Sequence, residues 1–162
     1  MLRTLPLPEN FTHGNIYLSS MPGRFEPLRE FVAEIQEANV AHIVCLVSDE
    51  EIGRKSPEYL MAIQSEEVPA KIWRFEISDY GIPDDVDGLD RMLDLIRERL
   101  DHDESIVIHC AAGHGRTGVV STLLLARMGL PLADAVAAIG HAGSAPDTPA
   151  QREFLKKRVA AW

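Results

Sequence analysis

The chain has 162 residues, 46% of them hydrophobic, which is enough to bury one core and predicts one domain spanning residues 1–162. Its formal net charge of −9 argues against general affinity for nucleic acid or for anionic membranes. The longest strongly apolar stretch, residues 119–128, has about half of the roughly 20 residues needed to cross a bilayer, so no membrane span is expected.

The amino-terminal segment and the cysteine content indicate the cellular compartment of the protein. Residues 1–11 (MLRTLPLPENF) contain one arginine and are broken by Pro6 and Pro8, unlike a secretory signal peptide. Two cysteines cannot form a disulfide framework for a chain of this size, and one of them lies in a glycine-rich motif. We therefore expect a cytoplasmic protein.

Short apolar runs alternate with amphipathic segments along the chain, which predicts an α/β fold. Strands are predicted over residues 15–19, 42–47, 71–77 and 105–109. Helices are predicted over residues 25–38, 56–63, 86–100, 117–128, 132–139 and 149–160, with Asn39 ending the first and Ser56 capping the second. The expected architecture is a central, mostly parallel sheet of about 4–5 strands with helices on both faces.

A glycine-rich segment, residues 109–118 (HCAAGHGRTG), joins the strand at 105–109 to the next predicted helix. The loop would lie at the carboxyl edge of the sheet and at the amino end of a helix, where N–H groups favour anions. Its glycines allow successive N–H groups to turn into one concavity, which fits the oxygens of a phosphate. The predicted phosphate-binding residues are Ala111, Ala112, Gly113, His114, Gly115 and Arg116.

Cys110 is the predicted nucleophile of this loop. The N–H groups and the helix dipole favour its thiolate, because cysteine pKa values in such settings fall to about 3.5–7.5. Arg116 follows six residues later, where its planar guanidinium can bond two phosphate oxygens. Attack of the sulfur on phosphorus would form a phosphocysteine, with no metal or other cofactor. Thr117 is expected to hydrogen-bond the sulfur, and His109 to fix the loop through backbone contacts.

The pattern H-C-x5-R-T in residues 109–117 resembles the signature of the protein tyrosine phosphatase superfamily. Residues 13–23 (HGNIYLSSMPG) are similar to the N-terminal strand and loop of small dual-specificity and kinase-associated phosphatases. The resemblance implies a tyrosine phosphatase whose shallow pocket also admits phosphoserine and phosphothreonine. It implies a phosphorylated protein or peptide as substrate, and we expect a monomer.

The leaving oxygen needs a proton donor from another loop at the same edge of the sheet. Residues 78–83 (SDYGIP) resemble the acid loop of the superfamily, with Asp79 at the position of the catalytic acid and Ser78 where the family has proline. Asp79 lies 31 residues before Cys110, as in compact relatives. Asp84 and Asp85 are alternatives, because a shift of five or six residues in a mobile loop would bring either inward.

Two other residues have alternative interpretations. Residues 148–154 (TPAQREF) resemble a segment that follows the glutamine loop of larger tyrosine phosphatases, but Asp147 stands where those enzymes have a water-positioning glutamine. Gln151 is therefore interpreted as a water-positioning residue or as a helix cap. Cys45 is interpreted as a core residue or as a redox partner that captures oxidised Cys110 in a disulfide.

Two further functions compete with a protein phosphatase. The same chemistry could act on an inositol phosphate, a phosphoinositide or a nucleotide. Ala111 and His114 occupy positions where lipid phosphatases of the superfamily often carry lysine, which weakens the phosphoinositide alternative. The other alternative is a binding module that captures phosphate without turnover.

Overall fold

The computed structural model describes residues 1–11 and 13–162, and its centre is one β-sheet. The strands are β1 (Arg3–Leu5), β2 (Ile16–Ser19), β3 (Val40–Cys45), β4 (Lys71–Arg74) and β5 (Ser105–His109). Their order across the sheet is β1-β2-β5-β3-β4. The last four run parallel, and β1 pairs antiparallel with β2 at one edge. The prediction of a mostly parallel sheet is confirmed.

Helices cover both faces of this sheet. They are α1 (Leu28–Glu37), α2 (Asp49–Lys55), α3 (Pro57–Gln64), α4 (Val86–Asp101), α5 (Gly115–Arg127), α6 (Leu132–His141) and α7 (Pro149–Ala160). The first three contribute to one hydrophobic cluster and the last four to another. Within the described ranges, no helix is both long and apolar enough to cross a membrane.

The central strand β5 is buried along its whole length, which explains its continuous β-branched sequence. Ile106 and Ile108 face the cluster of α4–α7, whereas Val107 faces the cluster of α1–α3. Because β5 has parallel neighbours on both sides, its carboxyl end opens in the middle of the sheet edge. The glycine-rich loop starts there.

Several boundaries differ from the sequence-based expectation. Helix α1 starts at Leu28 rather than at residue 25, because Pro27 before it has an extended backbone (φ −56°, ψ 138°). Asn39 follows the helix end with a φ of 51°, consistent with its predicted role as the stop. Ser56 does not cap α3 through its side chain, since its hydroxyl donates to the carbonyl of Pro22 at 2.8 Å. Ser56 is nevertheless the N-cap residue before Pro57, so its predicted position is confirmed and only the side-chain capping bond is absent.

Two short elements were not predicted, β1 and α2. Strand β1 has three residues at the sheet edge and ends before Pro6, so it is too short to show an alternation of polar and apolar residues. Helix α2 offers one buried apolar residue, Ile52, too few for a helical period. Its start is fixed instead by Ser48, whose hydroxyl accepts from the backbone N–H of Glu51 at 3.2 Å.

Helix α5 is the core helix, and its packing can be tested at Leu123, which is 0% exposed. We expect Leu123→Ala to lower the free energy of unfolding by about 2–5 kcal/mol, because the cavity cannot fully collapse in a densely packed interior. Urea unfolding measures this change. The matched control is Val136→Ala on α6, where the side chain is 39% exposed. Equal losses in the two variants would contradict the assignment of α5 as the core.

Candidate active site

The loop after β5 forms the floor of a cavity of about 120 Å³. Cys110 lies there with 2% of its surface exposed. The other loop residues that line the cavity are Ala111, Ala112, Gly115 and Arg116. Five of the predicted catalytic and phosphate-binding positions of the loop therefore share one wall.

Gly113 and His114 do not line this cavity, although the sequence grouped them with the phosphate-binding residues. The N–H of Gly113 approaches the Cys110 sulfur, and the residue has a φ of +76°. A Cβ at Gly113 would lie 2.6 Å from the carbonyl oxygen of Ser19, so only glycine fits. The side chain of His114 is exposed and lines a neighbouring groove.

The surroundings of Cys110 favour its thiolate. Burial opposes ionisation, but hydrogen bonds from the side chain and backbone of Thr117, the charge of Arg116 and the N–H of Gly113 lower the pKa of Cys110 below its ordinary value. The hydroxyl of Thr117 is buried and has no nitrogen or oxygen partner among the described residues. The sulfur is therefore the acceptor available to it.

Arg116 is 3% exposed and is paired by a carboxylate that the sequence analysis missed. Its Nη1 donates to Oε2 of Glu51 at 2.8 Å, and its Nη2 donates to Oε1 at 3.0 Å. Nη1 also donates to the carbonyl of Ile77 at 3.1 Å. The hydrogen bond from Arg116 is the main reason that the pKa of Glu51 falls to about 2, with a further contribution from Lys55 at 2.5 Å.

Asp79 is the aspartate that reaches the cavity. Its Oδ1 accepts from Nη2 of Arg116 at 3.0 Å, and Lys55 lies 3.9 Å from Oδ2. Asp84 and Asp85 are not among the lining residues, and Asp85 instead caps α4 by accepting from the N–H of Gly88 at 2.8 Å. The structure thus brings together Cys110, Arg116 and Asp79, and neither alternative aspartate.

His109 fixes the loop from the opposite face of the sheet. Its Nδ1 lies 3.1 Å from the carbonyl oxygen of Cys110, and its Nε2 lies 3.0 Å from the hydroxyl of Tyr59. Because burial lowers the pKa of His109 to about 4, the ring is neutral at pH 7. A carbonyl only accepts, so Nδ1 carries the proton and Nε2 accepts from Tyr59. Tyr59 was not anticipated from the sequence.

Two long-range contacts hold the loops around the cavity. Gln151 is fully buried, and its Oε1 accepts from the N–H of Thr148 at 3.3 Å in the capping box that starts α7. The same oxygen also accepts from the N–H of Asp147 at 2.7 Å. The Nε2 of Gln151 donates to the carbonyl of Gly81 in the acid loop at 2.9 Å. Arg3 in β1 donates to the carbonyl of Gly113 at 2.8 Å. The capping interpretation of Gln151 is confirmed, and Asp147 lies in the cavity wall.

Cys45 lies on the other side of the sheet from Cys110. It belongs to the cluster of α1–α3, whereas Cys110 belongs to the cluster of α4–α7. Burial raises the pKa of the Cys45 thiol, which favours an inert core residue. The two side chains therefore face away from each other, which opposes a direct disulfide.

The Glu51–Arg116 pair gives a prediction about stability and pH. The pKa of Glu51 in the folded protein, about 2, is below its ordinary value of 4.5, so its stabilisation is present above pH 4.5 and is lost as the pH falls through 2. We expect Glu51→Gln to lower the free energy of unfolding at pH 7 by about 3–5 kcal/mol, because it leaves a buried guanidinium without this charge.

Urea unfolding between pH 7 and pH 2 measures the difference between wild type and Glu51→Gln, which we expect to shrink below pH 4.5. The exposed neighbour Glu50 provides the control variant Glu50→Gln. A wild-type advantage that does not change with pH would contradict this role of Glu51.

One family model and two relatives match parts of this chain. A family model described as Tc-R-P, polymorphic toxin system, DSP-PTPase phosphatase, matches residues 19–130. The chain is 33% identical over 106 residues to an uncharacterized protein of Methanocaldococcus jannaschii, a match that covers 63% of this chain and 67% of that protein. It is 46% identical over 46 residues to human tyrosine-protein phosphatase non-receptor type 4, covering 28% of this chain and 5% of that protein.

Solved structures share the fold over nearly the whole chain. A kinase associated phosphatase with its catalytic-site cysteine replaced by serine has a TM-score of 0.82 at 18% identity, covering 100% of this chain and 97% of that one. Tk-PTP in its active form has a TM-score of 0.76 at 25% identity, covering 99% and 98%. PTPMT1 has a TM-score of 0.72 at 15% identity, covering 99% and 95%.

The family match extends over residues 19–130, more than half of the 162-residue chain, and includes the loop from Cys110 to Arg116. The chain therefore belongs to the family that this model describes, the DSP-PTPase phosphatases of polymorphic toxin systems.

Proposed function

We propose that the protein hydrolyses phosphomonoesters through a phosphocysteine intermediate. Cys110 is the nucleophile, Arg116 binds the phosphate and Asp79 is the general acid. One observation carries the proposal: a thiol with a lowered pKa, a buried guanidinium and a carboxylate from a separate loop line the same cavity of about 120 Å³. Each of these groups has one step of the reaction to perform.

In the first step, the thiolate of Cys110 attacks phosphorus in line with the leaving oxygen. The S–P bond forms as the P–O bond breaks, and Asp79 gives its proton to the departing oxygen. Arg116 and the N–H groups of the loop hold the phosphoryl oxygens, whose charge must be stabilised in the transition state. Asp79 can move towards the departing oxygen because its side chain is 49% exposed, whereas the Arg116 side chain is 2% exposed.

In the second step, water attacks the phosphocysteine and releases inorganic phosphate. Asp79 accepts a proton from the water, and the Cys110 thiolate leaves with the electron pair of the S–P bond. The hydroxyl of Thr117 stabilises that thiolate, consistent with its contribution to the lowered pKa of Cys110. The reaction returns the protein to its starting state.

The proposed substrate is a phosphorylated protein or peptide, with phosphotyrosine favoured and phosphoserine and phosphothreonine admitted, and the proposed compartment is the cytoplasm. The family description and the fold shared with a kinase associated phosphatase support this choice. The alternative is a non-protein phosphate. It is favoured by one observation, the shared fold with PTPMT1, which has been crystallised in complex with PI(5)P.

Replacement of Cys110 tests the nucleophile. We expect Cys110→Ser to lower kcat for para-nitrophenyl phosphate by about 10³-fold or more, because a serine hydroxyl is not ionised at neutral pH. Cys45→Ala is the matched control and should retain activity. A stopped reaction with radioactive phosphate ester should label the wild-type protein and leave Cys110→Ser unlabelled. Activity in Cys110→Ser would contradict the mechanism. Loss of wild-type activity on addition of a metal chelator would also contradict it.

Replacement of Asp79 tests the acid. For an alkyl phosphate, whose leaving oxygen needs a proton, we expect Asp79→Asn to lower kcat by about 10²–10⁴-fold. For an activated aryl phosphate the loss should be much smaller, because that leaving group departs unprotonated. Steady-state rates with both substrates give the comparison, and Asp84→Asn and Asp85→Asn are the controls. Equal losses for the two substrates in Asp79→Asn would remove the assignment.

A further inference from the structure

The segment between β2 and α1 forms one side of the mouth of the cavity and carries Arg24. Three hydrogen bonds fix its path. The N–H of Met21 donates to the carbonyl of Ala111 in the active loop at 3.2 Å, and the N–H of Arg24 donates back to Met21 at 3.2 Å. The hydroxyl of Ser56 donates to the carbonyl of Pro22 at 2.8 Å. The backbone that carries Arg24 is therefore hydrogen-bonded directly to the active loop.

The turn before Arg24 requires glycine. Gly23 has a φ of +76°, and a Cβ there would lie 2.6 Å from the hydroxyl of Ser56. The guanidinium of Arg24 then lies over the ring of Phe25, 4.4 Å from its centroid, and Phe25 is 67% exposed. The turn and this stacking hold the guanidinium at the mouth of the cavity, where Arg24 is partly exposed.

Arg24 differs from the other cations of the cavity in having no acidic partner. Lys55 lies 2.5 Å from Glu51, and Arg116 is bonded to both Glu51 and Asp79. Over residues 1–11 and 13–162, no carboxylate lies within 4.0 Å of the Arg24 guanidinium. In a chain with a net charge of −9, an unpaired arginine that lines the same cavity as Cys110 is a local site for an anion.

We propose that Arg24 binds a carboxylate of the substrate, the side chain of an aspartate or glutamate close to the phosphorylated residue of a peptide. The inference rests on the proposed function and adds a preference for acidic flanking sequence. A planar guanidinium bonds both oxygens of a carboxylate, and this charge-assisted contact is stronger than a hydrogen bond between neutral groups. Arg24 is a specificity-determining residue in this role, separate from the reacting atoms.

The shape of the surroundings favours a peptide over a small polyphosphate. A second groove of about 320 Å³ shares Ala112 with the catalytic cavity and is lined by Phe25 and His114. An extended chain leaving the cavity can follow this groove past Arg24.

Phosphotyrosine peptides of one length provide the test. Each peptide carries a single glutamate at one of four positions, the two residues before phosphotyrosine and the two residues after it. For each peptide there is an analogue with glutamine in place of that glutamate. We expect a glutamate-to-glutamine ratio of kcat/KM of about tenfold at one or more positions in wild type, falling to about one in Arg24→Gln. The change should lie in KM, because the contact is the same in the ground and transition states. Arg24→Lys should keep part of the ratio.

Arg29→Gln is the matched control, since Arg29 is exposed on α1 and does not line the cavity. It should keep the wild-type ratio. Calorimetric titration of the same peptides into Cys110→Ser gives a ratio of Kd values that does not depend on turnover. Failure of wild type to hydrolyse para-nitrophenyl phosphate would overturn the proposed function, while these Kd values would still test Arg24.

Three results would overturn the inference about Arg24. The first is a ratio near one at every position in wild type. The second is an unchanged ratio in Arg24→Gln. The third is an effect of Arg24→Gln on the hydrolysis of inositol bisphosphate without an effect on the peptide ratio.

Discussion

The burial of one positive charge organises the site. Arg116 is 3% exposed, and removing a guanidinium from water costs several kcal/mol unless it is paired and hydrogen-bonded. Its partners come from three places that are distant in sequence: Glu51 in α2, the carbonyl of Ile77 after β4, and Asp79 in the acid loop. Satisfying this cation therefore fixes the relative positions of the three segments that surround Cys110.

The two sides of Cys110 differ in how deeply they are buried. Behind Cys110, the neutral ring of His109 links the loop backbone to Tyr59, and all three groups are buried. In front of it, Asp79 is half-exposed and reaches the cavity from a turn that is held by Gln151. In the proposed mechanism, a rigid floor suits a nucleophile that must attack in line, whereas a general acid must follow different leaving groups.

Much of this arrangement could be predicted from the sequence where the signal was local. Strand 105–109 and helix 149–160 were placed to the residue, because one is a buried β-branched run and the other has a capping box with proline at its start. The active loop was found from the spacing of Cys110 and Arg116. The acid was assigned by resemblance, and the contact of Asp79 with Arg116 agrees with that assignment.

The residues that escaped prediction act over long distances. Glu51 pairs with a residue 65 positions away, and Tyr59 with one 50 positions away, so neither has a local pattern. One signal was readable: Ser48 and Glu51 have the S-x-x-E spacing of a helix start, which would have revealed α2. Backbone pairing also continues beyond the end of β4, because the N–H of Ile77 donates to the carbonyl of Leu46. This bond likewise depends on a residue that is distant in sequence.

The bond from Arg3 to Gly113 has a consequence for how the protein matures. It joins residues that are 110 positions apart, and a second bond from Arg3 reaches the carbonyl of Ala142, 139 positions away. Contacts of such separation form late, because the entropy of closing a long loop is lost before they contribute. A ribosome-bound chain that has exposed Cys110 but not Ala142 thus lacks part of the frame around its active loop. Full assembly of that loop therefore waits until the segment around Ala142 has been synthesised and can fold back onto β1.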